Sequence, residues 1–501
     1  MPVIDTATLS PSGNCEFQQQ VYNGLDACIT LEVLDALLSL PTPSTYDYLR
    51  DLQGPFLEMQ LRGFAVDHVE MLRALGAMEE QAAELRAWLD ELGAALRMPE
   101  LNPRSQKQLN EALCTRLRLP ERWVYDKGVR KRPMNREALE WYAESYLYAQ
   151  PICRASLAAR DTYADIKTLS TEVRDGRWYT SWNLTGAETL RLSSSKSFDE
   201  TGGNLQNLTR DSSAEDTLHL RRMFIADKNR ILVSMDRKQS EAREVGFLLG
   251  TLFDDWKYLD LLESTDIHTW VARETFTSLP WTGDMKRDRK VADMPYYRNN
   301  SYRDMAKKLA HGSSYCGSAA TMARHAGTTT KFVQAFQDKF FTLFPAMLKW
   351  HLWTAQRLQL DGYLDNLFGD RRHFFDDHYS AETLRKAVAH IPQSSTARRT
   401  NMGILALWRS DLPIELLAQG HDSITFQCRQ EDLAVVIPHA LALTSIPLTA
   451  PNGRAFTVPG DCKVGYNWGN YSAANQNGLK EWVGSDDRTR QPGLSIMDIR
   501  L

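Results

Sequence analysis

The segment RILVSMDRKQSEAREVGFLLG, from Arg230 to Gly250, constrains the fold of this chain more than any other. Residues 231–235 are mostly apolar, which predicts a short buried strand. The residues QSEAREVGFLLG that follow predict a helix. Asp236 lies at the junction, where a side chain can project from the edge of a sheet into a cleft. The segment therefore predicts a strand and a helix that present one carboxylate, although an aspartate that only begins the turn would give the same pattern.

A second carboxylate lies in the segment QGHDSITFQ, between two apolar runs. The flanks IELLA and ITFQC contain β-branched and aromatic residues, which predicts the paired strands of a hairpin over residues 414–428. Gly420, His421 and Asp422 suit the turn. Taken alone, Asp422 is either a residue that forms the turn or a carboxylate displayed at the crest of the hairpin.

The two carboxylates predict a shared site if the two segments are neighbours in one sheet. Asp236 and Asp422 would then lie side by side, and two close carboxylates cannot both ionise cheaply without a cation between them. Mg²⁺ binds one or two carboxylates together with substrate phosphates. A pair of such ions can activate an attacking oxygen and stabilise a leaving pyrophosphate.

A helix face that suits phosphate binding is predicted in YRDMAKKLAHGSSYCG. Arg303, Lys307, His311 and Tyr315 recur every four residues, so neighbouring members share a face. The first two are cations that can hold a triphosphate, and the last two are rings that can contact sugar and base. A solvated basic turn followed by half-buried rings is the competing interpretation.

Composition indicates a soluble globular protein in the cytoplasm. The chain has 501 residues, a net charge of −4 and seven cysteines, which lack the CxxC spacing of a zinc site. No apolar run approaches the ~20 residues that a membrane span needs, which predicts no membrane partner. Basic residues concentrate in residues 286–308, where eight Lys or Arg accompany three Asp.

The order of patterns predicts an α+β architecture. The first 170 residues indicate helices alone, including a long amphipathic helix that Asp67 and Glu70 begin. Its apolar stripe is predicted to consist of Leu72, Leu75, Ala82, Leu85, Leu89, Leu92 and Leu96. Strands and helices alternate up to about residue 250, helices dominate residues 255–360, and the last hundred residues are mixed.

Together these segments resemble family A DNA polymerases, over residues 45 to 470. MDRKQSEAR resembles motif A of the family, DYSQIELR; RDMAKKLAHGSSYCG resembles motif B, RxxxKxxxFGxxYG; and GHDSITF resembles motif C, HDE. Lesser matches occur between them in the family's order, among them TLRLSSS, GGNLQN, DIHT, GYLDNLFGDRR, IPQSSTA and KVGYNWG.

The resemblance implies a template-directed DNA polymerase that adds deoxynucleotides to a primer 3′-hydroxyl and releases pyrophosphate. It implies that Asp236, Asp422 and the backbone carbonyl of Arg237 hold two Mg²⁺ ions, with the two aspartates as catalytic residues. The residues that it implies for nucleotide binding are Gln239, Glu241, His268, Arg303, Lys307, His311 and Tyr315. Those that it implies for the primer-template are Arg191, Gln206, Asn207, Arg371, Arg385, Gln393 and His421.

The resemblance also implies a right-hand polymerase fold, with an antiparallel palm sheet and helical fingers and thumb. The implied limits are 45–176 for the thumb, 177–244 and 395–501 for the two parts of the palm and the C-terminal tail, and 245–394 for the fingers. Residues 1–44 would be a remnant of a 3′–5′ exonuclease domain or a linker. Within them YNGLDACIT resembles the YxxxD exonuclease motif through Tyr22 and Asp26.

Three departures from the family pattern leave alternatives open. Ser423 stands where motif C has Glu, His311 replaces the usual Phe or Tyr of motif B, and Ala389 stands where relatives usually have Asn. Single-subunit RNA polymerases also carry HDS, so an RNA polymerase or a non-catalytic DNA-binding relative remains an alternative. Proofreading is expected to be either lost or supplied by a separate exonuclease polypeptide. Deoxynucleotides, primer-template DNA and other replication proteins are the expected partners, and a phage is the expected source.

Overall fold

The computed structural model describes residues 16–38, 44–126, 129–208, 220–297 and 300–484. The chain forms two compact units, Met1–Gln53 and Gly54–Leu501. In the described part of the first unit, the main element is a helix in which all of the side chains described, those of residues 21–37, are exposed. The second unit contains the sheet and the remaining helices and is considered by itself below.

Sixteen α-helices occur in the described residues. They are α1 Glu16–Leu38, α2 Ser44–Arg62, α3 His68–Ala95, α4 Gln106–Asn110, α5 Arg136–Ser145, α6 Gln150–Leu169, α7 Ser240–Phe253, α8 Lys257–Ser264, α9 Ile267–Thr275, α10 Met285–Ala292, α11 Tyr302–Ser314, α12 Ala319–Ala326, α13 Thr330–Leu343, α14 Pro345–Asp361, α15 Ala381–Trp408 and α16 Leu433–Thr444. A π-helix, Glu111–Arg116, continues α4.

Eighteen short strands accompany these helices in the same described ranges. They are β1 Phe64–Val66, β2 Val124–Asp126, β3 Val129–Lys131, β4 Arg177–Trp178, β5 Ser181–Asn183, β6 Ser193–Ser195, β7 Phe224–Ile225, β8 Ile231–Arg237, β9 Pro295–Tyr297, β10 Asn300–Ser301, β11 Tyr363–Asp365, β12 Arg371–His373, β13 Glu415–Gly420, β14 Ser423–Cys428, β15 Leu448–Thr449, β16 Ala455–Phe456, β17 Gly460–Gly465 and β18 Lys480–Glu481.

A five-stranded antiparallel sheet, in the order β13-β14-β8-β17-β18, positions the predicted site. Its central strand β8 begins with Ile231, Leu232 and Val233, whose side chains are buried. Burial of apolar side chains stabilises a central strand at roughly 25 cal/mol per Å² removed from water. The predicted strand–helix unit and the predicted hairpin of β13 and β14 are both confirmed.

Two helical cores occur in the described part of the second unit, one before β8 in the chain and one between β8 and β13. One extends from α3 to α6 and packs around Leu109, Leu139 and Tyr142. The other extends from α7 to α15 and packs around Leu309, Phe340 and Trp350. The helical stretch that interrupts the mixed region is therefore a packed body with a core of its own.

The prediction that the first 170 residues are entirely helical is wrong. β1 pairs with β4 and β7 in a three-stranded sheet, and β2 pairs with β3 in a hairpin. These strands are two or three residues long, too short for an alternating pattern to distinguish them from loops. The stripe of α3 differs from the prediction at its start, where Leu72 is exposed and Met71 is buried, whereas the predicted members Ala82 and Leu89 are buried.

The predicted limits of thumb, palm and fingers stay predictions.

No helix in the described parts of the chain combines the length and the apolar character needed to cross a membrane.

Candidate active site

The sheet brings the two predicted catalytic carboxylates together. In the pairing of β14 with β8, Ser423 lies directly opposite Asp236. Asp422 is the residue before Ser423, in the turn that joins β13 to β14. The side chain of Asp236 is exposed and that of Asp422 is half-buried. Two acids that are far apart in the sequence therefore lie close together, one on β8 and one in the turn before the adjacent strand β14, and both are accessible to solvent.

Local structure explains how Asp236 is held. β8 continues two residues beyond its predicted end, because Asp236 and Arg237 pair with Asp461 and Gly460 of β17. The chain then turns sharply at Gln239, which has a left-handed φ of 51° and precedes the first residue of α7. The backbone of Asp236 is thus fixed by strand pairing on both sides. A residue in a turn between strand and helix, where the sequence placed Asp236, would have a less constrained backbone.

The two basic residues after Asp236 have different environments. Arg237 is buried, donates a hydrogen bond to the carbonyl of Thr444 (2.7 Å), and burial lowers its pKa to about 10. Lys238 is half-exposed and forms an ion pair with Asp461 (2.6 Å). No pattern in the sequence predicted a role for Asp461, because its position beside Asp236 depends on the pairing of β17 with β8.

The carboxylate oxygens in this region fit a metal site in which the substrate supplies further ligands. Among the described residues, no three or more His, Cys, Asp or Glu side chains are grouped to hold a metal ion. Two carboxylates at adjacent strands, however, supply the hard oxygen ligands that Mg²⁺ uses in combination with water and substrate phosphates. Asp236 and Asp422 therefore fit Mg²⁺ as a partial ligand set, and the carbonyl of Arg237 stays a predicted ligand.

Glu241 connects residues predicted for the nucleotide and for the primer-template. Its carboxylate accepts a hydrogen bond from the hydroxyl of Tyr315 (2.6 Å) and pairs with the guanidinium of Arg191. Burial, together with the negative charge of Glu241, raises the pKa of Tyr315 well above its usual value. The Tyr315 ring also contacts the ring of His311 at 4.8 Å between centroids. These four side chains form one continuous group.

The predicted phosphate-binding face lies on α11. The helix begins with a capping box of Ser301 and Asp304, and Tyr315 lies just after its last residue. Arg303 forms an ion pair with Asp266, the residue that caps α9, through Nε and Nη2 at 2.8 and 3.0 Å. Lys307 is exposed one turn further on.

His268 lies in the first turn of α9, beside this cationic group. Burial, and then the nearby charge of Arg303, lower its pKa to about 4. The imidazole is therefore neutral at physiological pH and can hydrogen-bond a phosphate oxygen only through its N–H. The sequence singled out the segment DIHT but did not predict the role of Asp266 in holding Arg303.

The residues predicted for the primer-template are spread over several elements. Gln206 donates a hydrogen bond to Gln419 of β13 (2.7 Å), which brings it to the hairpin that carries His421. Arg385 is exposed and Gln393 half-buried, both on α15. Asn207 ends a short 3₁₀ turn and is exposed.

Arg371 has local partners in the small β11–β12 hairpin. It forms an ion pair with Asp365 (2.8 Å) and lies over the ring of Tyr363 at 3.7 Å from the centroid. The contacts of Arg371 with these two residues do not connect it to Asp236 or Asp422. Its predicted DNA contact stays a prediction.

The predicted exonuclease remnant belongs to the other compact unit. Tyr22 and Asp26 lie four residues apart on α1, and both side chains are exposed. They share one side of the helix, as the spacing predicts.

Comparison with known proteins identifies the class of this fold. The POL domain of Pol1 from M. smegmatis, solved in complex with a DNA primer-template and dNTP, superimposes with a TM-score of 0.67 at 22% sequence identity. The match covers 83% of this chain and 69% of that one. The chain therefore has an α+β polymerase fold.

A family model narrows the class. The model described as DNA polymerase family A matches residues 72–470, which is more than half of the chain, so the chain belongs to DNA polymerase family A. DNA polymerase I of Pseudomonas aeruginosa is 26% identical over 477 residues, 89% of this chain and 47% of that protein. The thermostable DNA polymerase I of Thermus aquaticus is 28% identical over 392 residues, 76% of this chain and 43% of that protein. The chain spans about half the length of the curated relatives that it matches.

Proposed function

We propose that this chain is a template-directed DNA polymerase that extends a primer 3′-hydroxyl with deoxynucleotides and releases pyrophosphate. The observation that carries the proposal is the placement of Asp236 on β8 and of Asp422 in the turn that leads into the adjacent strand β14, with both carboxylates accessible. Membership of DNA polymerase family A supports it.

In this proposal each residue group has a separate task. Asp236 and Asp422 would hold two Mg²⁺ ions, which supply charge stabilisation to the attacking oxygen and the leaving pyrophosphate. Arg303 and Lys307 would bind the triphosphate, and neutral His268 would donate a hydrogen bond to it. Gln239, Glu241, His311 and Tyr315 would contact the sugar and the base.

The proposal also assigns the nucleic-acid contacts. Duplex DNA would be held along the hairpin and α15 by side chains that donate hydrogen bonds to its backbone and minor groove. These side chains are Arg191, Gln206, Asn207, Arg371, Arg385, Gln393 and His421.

Primer extension tests the proposal. The wild-type chain should extend a labelled primer in the presence of Mg²⁺, template and deoxynucleotides. Asp236→Ala and Asp422→Ala should each lower the rate by roughly 10³-fold or more, because metal-held charge carries much of such catalysis. Asp411→Ala removes an exposed aspartate just before β13 and is the matched control. Extension by both site variants at the control rate would reject the proposal.

An RNA polymerase is a second candidate because Ser423, rather than a glutamate, lies opposite Asp236. The same assay distinguishes the two, since an RNA polymerase would start chains from ribonucleotides without a primer. Glu241 favours deoxynucleotides, because a side chain at the sugar would exclude a 2′-hydroxyl.

A separate exonuclease polypeptide remains part of the proposal. A chain that carries a DxE motif should restore 3′–5′ digestion of a primer when it is mixed with this one, and Asp26→Ala should reduce that digestion. No digestion after mixing, or digestion unaffected by Asp26→Ala, would remove this partner. A phage source and a location in the host cytoplasm also stay predictions.

A further inference from the structure

Helix α10 carries the first basic residues of the segment 286–308, and the proposed chemistry assigns no role to any of them. The helix is capped by Asp284 and packs against α9 and α11, the helices that carry His268 and Arg303. The buried carboxylate of Asp288 accepts hydrogen bonds from Thr282 and Gly283, which fixes the helix to the loop before it. These contacts hold α10 in a fixed position beside the predicted triphosphate site.

Arg289 of α10 and Arg303 of α11 both form an ion pair with the same carboxylate oxygen. Oδ2 of Asp266 pairs with Nη1 of Arg289 at 2.9 Å and with Nε of Arg303 at 2.8 Å. Asp293 engages Nε of Arg289 at 2.6 Å and so fixes the orientation of its guanidinium. The side chain of Arg289 is 45% exposed, against 19% for Asp266, so a ligand can reach the arginine more easily than the carboxylate.

The charges around Asp266 favour a polyanion. Burial alone would raise the pKa of Asp266, but hydrogen bonds from Arg303 and Thr269 hold it well below its ordinary value. The two guanidinium groups face two carboxylates, those of Asp266 and Asp293, and exposed Lys307, one turn along α11 from Arg303, gives the group a net positive charge. Guanidinium groups bind phosphate oxygens through paired, charge-assisted hydrogen bonds. The tail of a nucleoside triphosphate has the charge and the oxygens to engage both arginines.

We infer that Arg289 is an additional triphosphate-binding residue, which Asp266 holds beside Arg303 so that both guanidinium groups face the phosphates of the incoming nucleotide. The inference rests on the proposed polymerase function. The competing explanation is that Arg289 only supports Asp266 and never touches the substrate.

Equilibrium binding of a deoxynucleoside triphosphate to the enzyme on a dideoxy-terminated primer-template tests the inference without turnover. Arg289→Ala should weaken binding about 10- to 100-fold, the loss expected for a charged hydrogen-bond partner. Arg289→Lys should recover part of it. Arg287→Ala, which removes an exposed arginine from the same helix, is the matched control and should bind as the wild type does. Equal affinity of Arg289→Ala and Arg287→Ala would overturn the inference.

A second comparison tests whether Arg289 contacts the phosphates itself or acts only by supporting Asp266. Asp266→Asn removes the charge that holds both arginines, and inorganic tripolyphosphate serves as the probe. If Arg289 contacts phosphate, adding Arg289→Ala to Asp266→Asn weakens tripolyphosphate binding further. No further loss would show that Arg289 acts only through Asp266 and would overturn the inference. Failure of the wild type to extend a primer would instead reject the proposed function, which keeps the two failures distinct.

Discussion

Glu241 is the residue where the predicted nucleotide and primer-template contacts meet. Its carboxylate holds both the hydroxyl of Tyr315 and the guanidinium of Arg191. The sequence predicted all three residues as site members through separate motifs, and the structure joins them. Motif spacing along a helix or strand predicts which residues share a face, but it does not give contacts between elements.

Glu241→Ala should increase incorporation of ribonucleotides relative to deoxynucleotides by about 10- to 100-fold, since one steric contact in a pocket contributes about 1–3 kcal/mol of discrimination. The ratio of incorporation rates with each nucleotide on one template measures it. Glu241→Gln keeps the length of the side chain and should keep most of the selectivity. A ratio unchanged in Glu241→Ala would mean that Glu241 does not face the sugar.

The sequence did not predict the residues whose position depends on an ion pair between two elements. Asp266, Asp461 and Arg289 lie outside the residues that carried the resemblance or were noted only as part of a short segment. Each gains its place from an ion pair with a residue of another element: Arg303, Lys238 and Asp266, respectively. A net positive charge over residues 286–308 was the available signal for Arg289, but it did not say which arginine would face the site.

At the scale of elements, α7 and α15 are joined by an ion pair that is fully buried. Glu244 of α7 pairs with Arg399 of α15 at 2.7 Å, and neither side chain is exposed. Arg399 also donates a hydrogen bond to the carbonyl of Ile446. Burial raises the pKa of Glu244 in spite of the arginine. This pair fixes the helix that follows β8 against the helix that carries Gln393.

Glu244→Ala should lower the free energy of unfolding of the second unit by about 3–5 kcal/mol, because it leaves a buried guanidinium without its counter-charge. Urea and thermal unfolding of full-length protein measure the change. The double variant Glu244→Met with Arg399→Met should lose less than Glu244→Ala, since no buried charge remains. Glu431→Ala, which breaks an exposed pair with Arg429, is the control and should unfold close to the wild type. A loss in Glu244→Ala no larger than in this control would contradict the account.

For the whole molecule, buried histidines predict how stability depends on pH. Burial, with Arg372 close by, lowers the pKa of His390 to about 3, and burial lowers that of His268 to about 4. Neither ring nitrogen of His390 has a hydrogen-bond partner among the described residues. The folded protein keeps both rings neutral, whereas the unfolded chain protonates them near pH 6.5.

The free energy of unfolding should therefore be largest above about pH 6.5 and fall as pH decreases towards 4, by up to about 1.4 kcal/mol per pH unit for each such histidine. His390→Phe should reduce this slope, as measured by urea unfolding at several pH values. Phe374→Leu alters the ring packed against His390 but removes no titratable group, so it should lower stability at every pH and leave the slope unchanged. A slope that His390→Phe does not alter would show that His390 is not one of the groups responsible.

The sequence by itself determined the class of this protein. The apolar run before Asp236, the turn residues around Asp422 and the four-residue spacing from Arg303 to Tyr315 each depend on local periodicity and turn preference. Those properties are encoded within a few neighbouring residues, which is why the strand, the hairpin and the helix were predicted. The predicted stripe of α3 is correct at Ala82 and Leu89 but wrong at Leu72, because burial depends on what packs against the helix.

Tertiary structure alone decided which charges meet. Strand pairing places Asp461 beside Asp236, and helix packing places Arg289 beside Arg303 on Asp266. An ion pair depends on the distance between two side chains, and the distance between remote segments is fixed only when the sheet and the helical core pack. Periodicity within a segment contains no information on that distance.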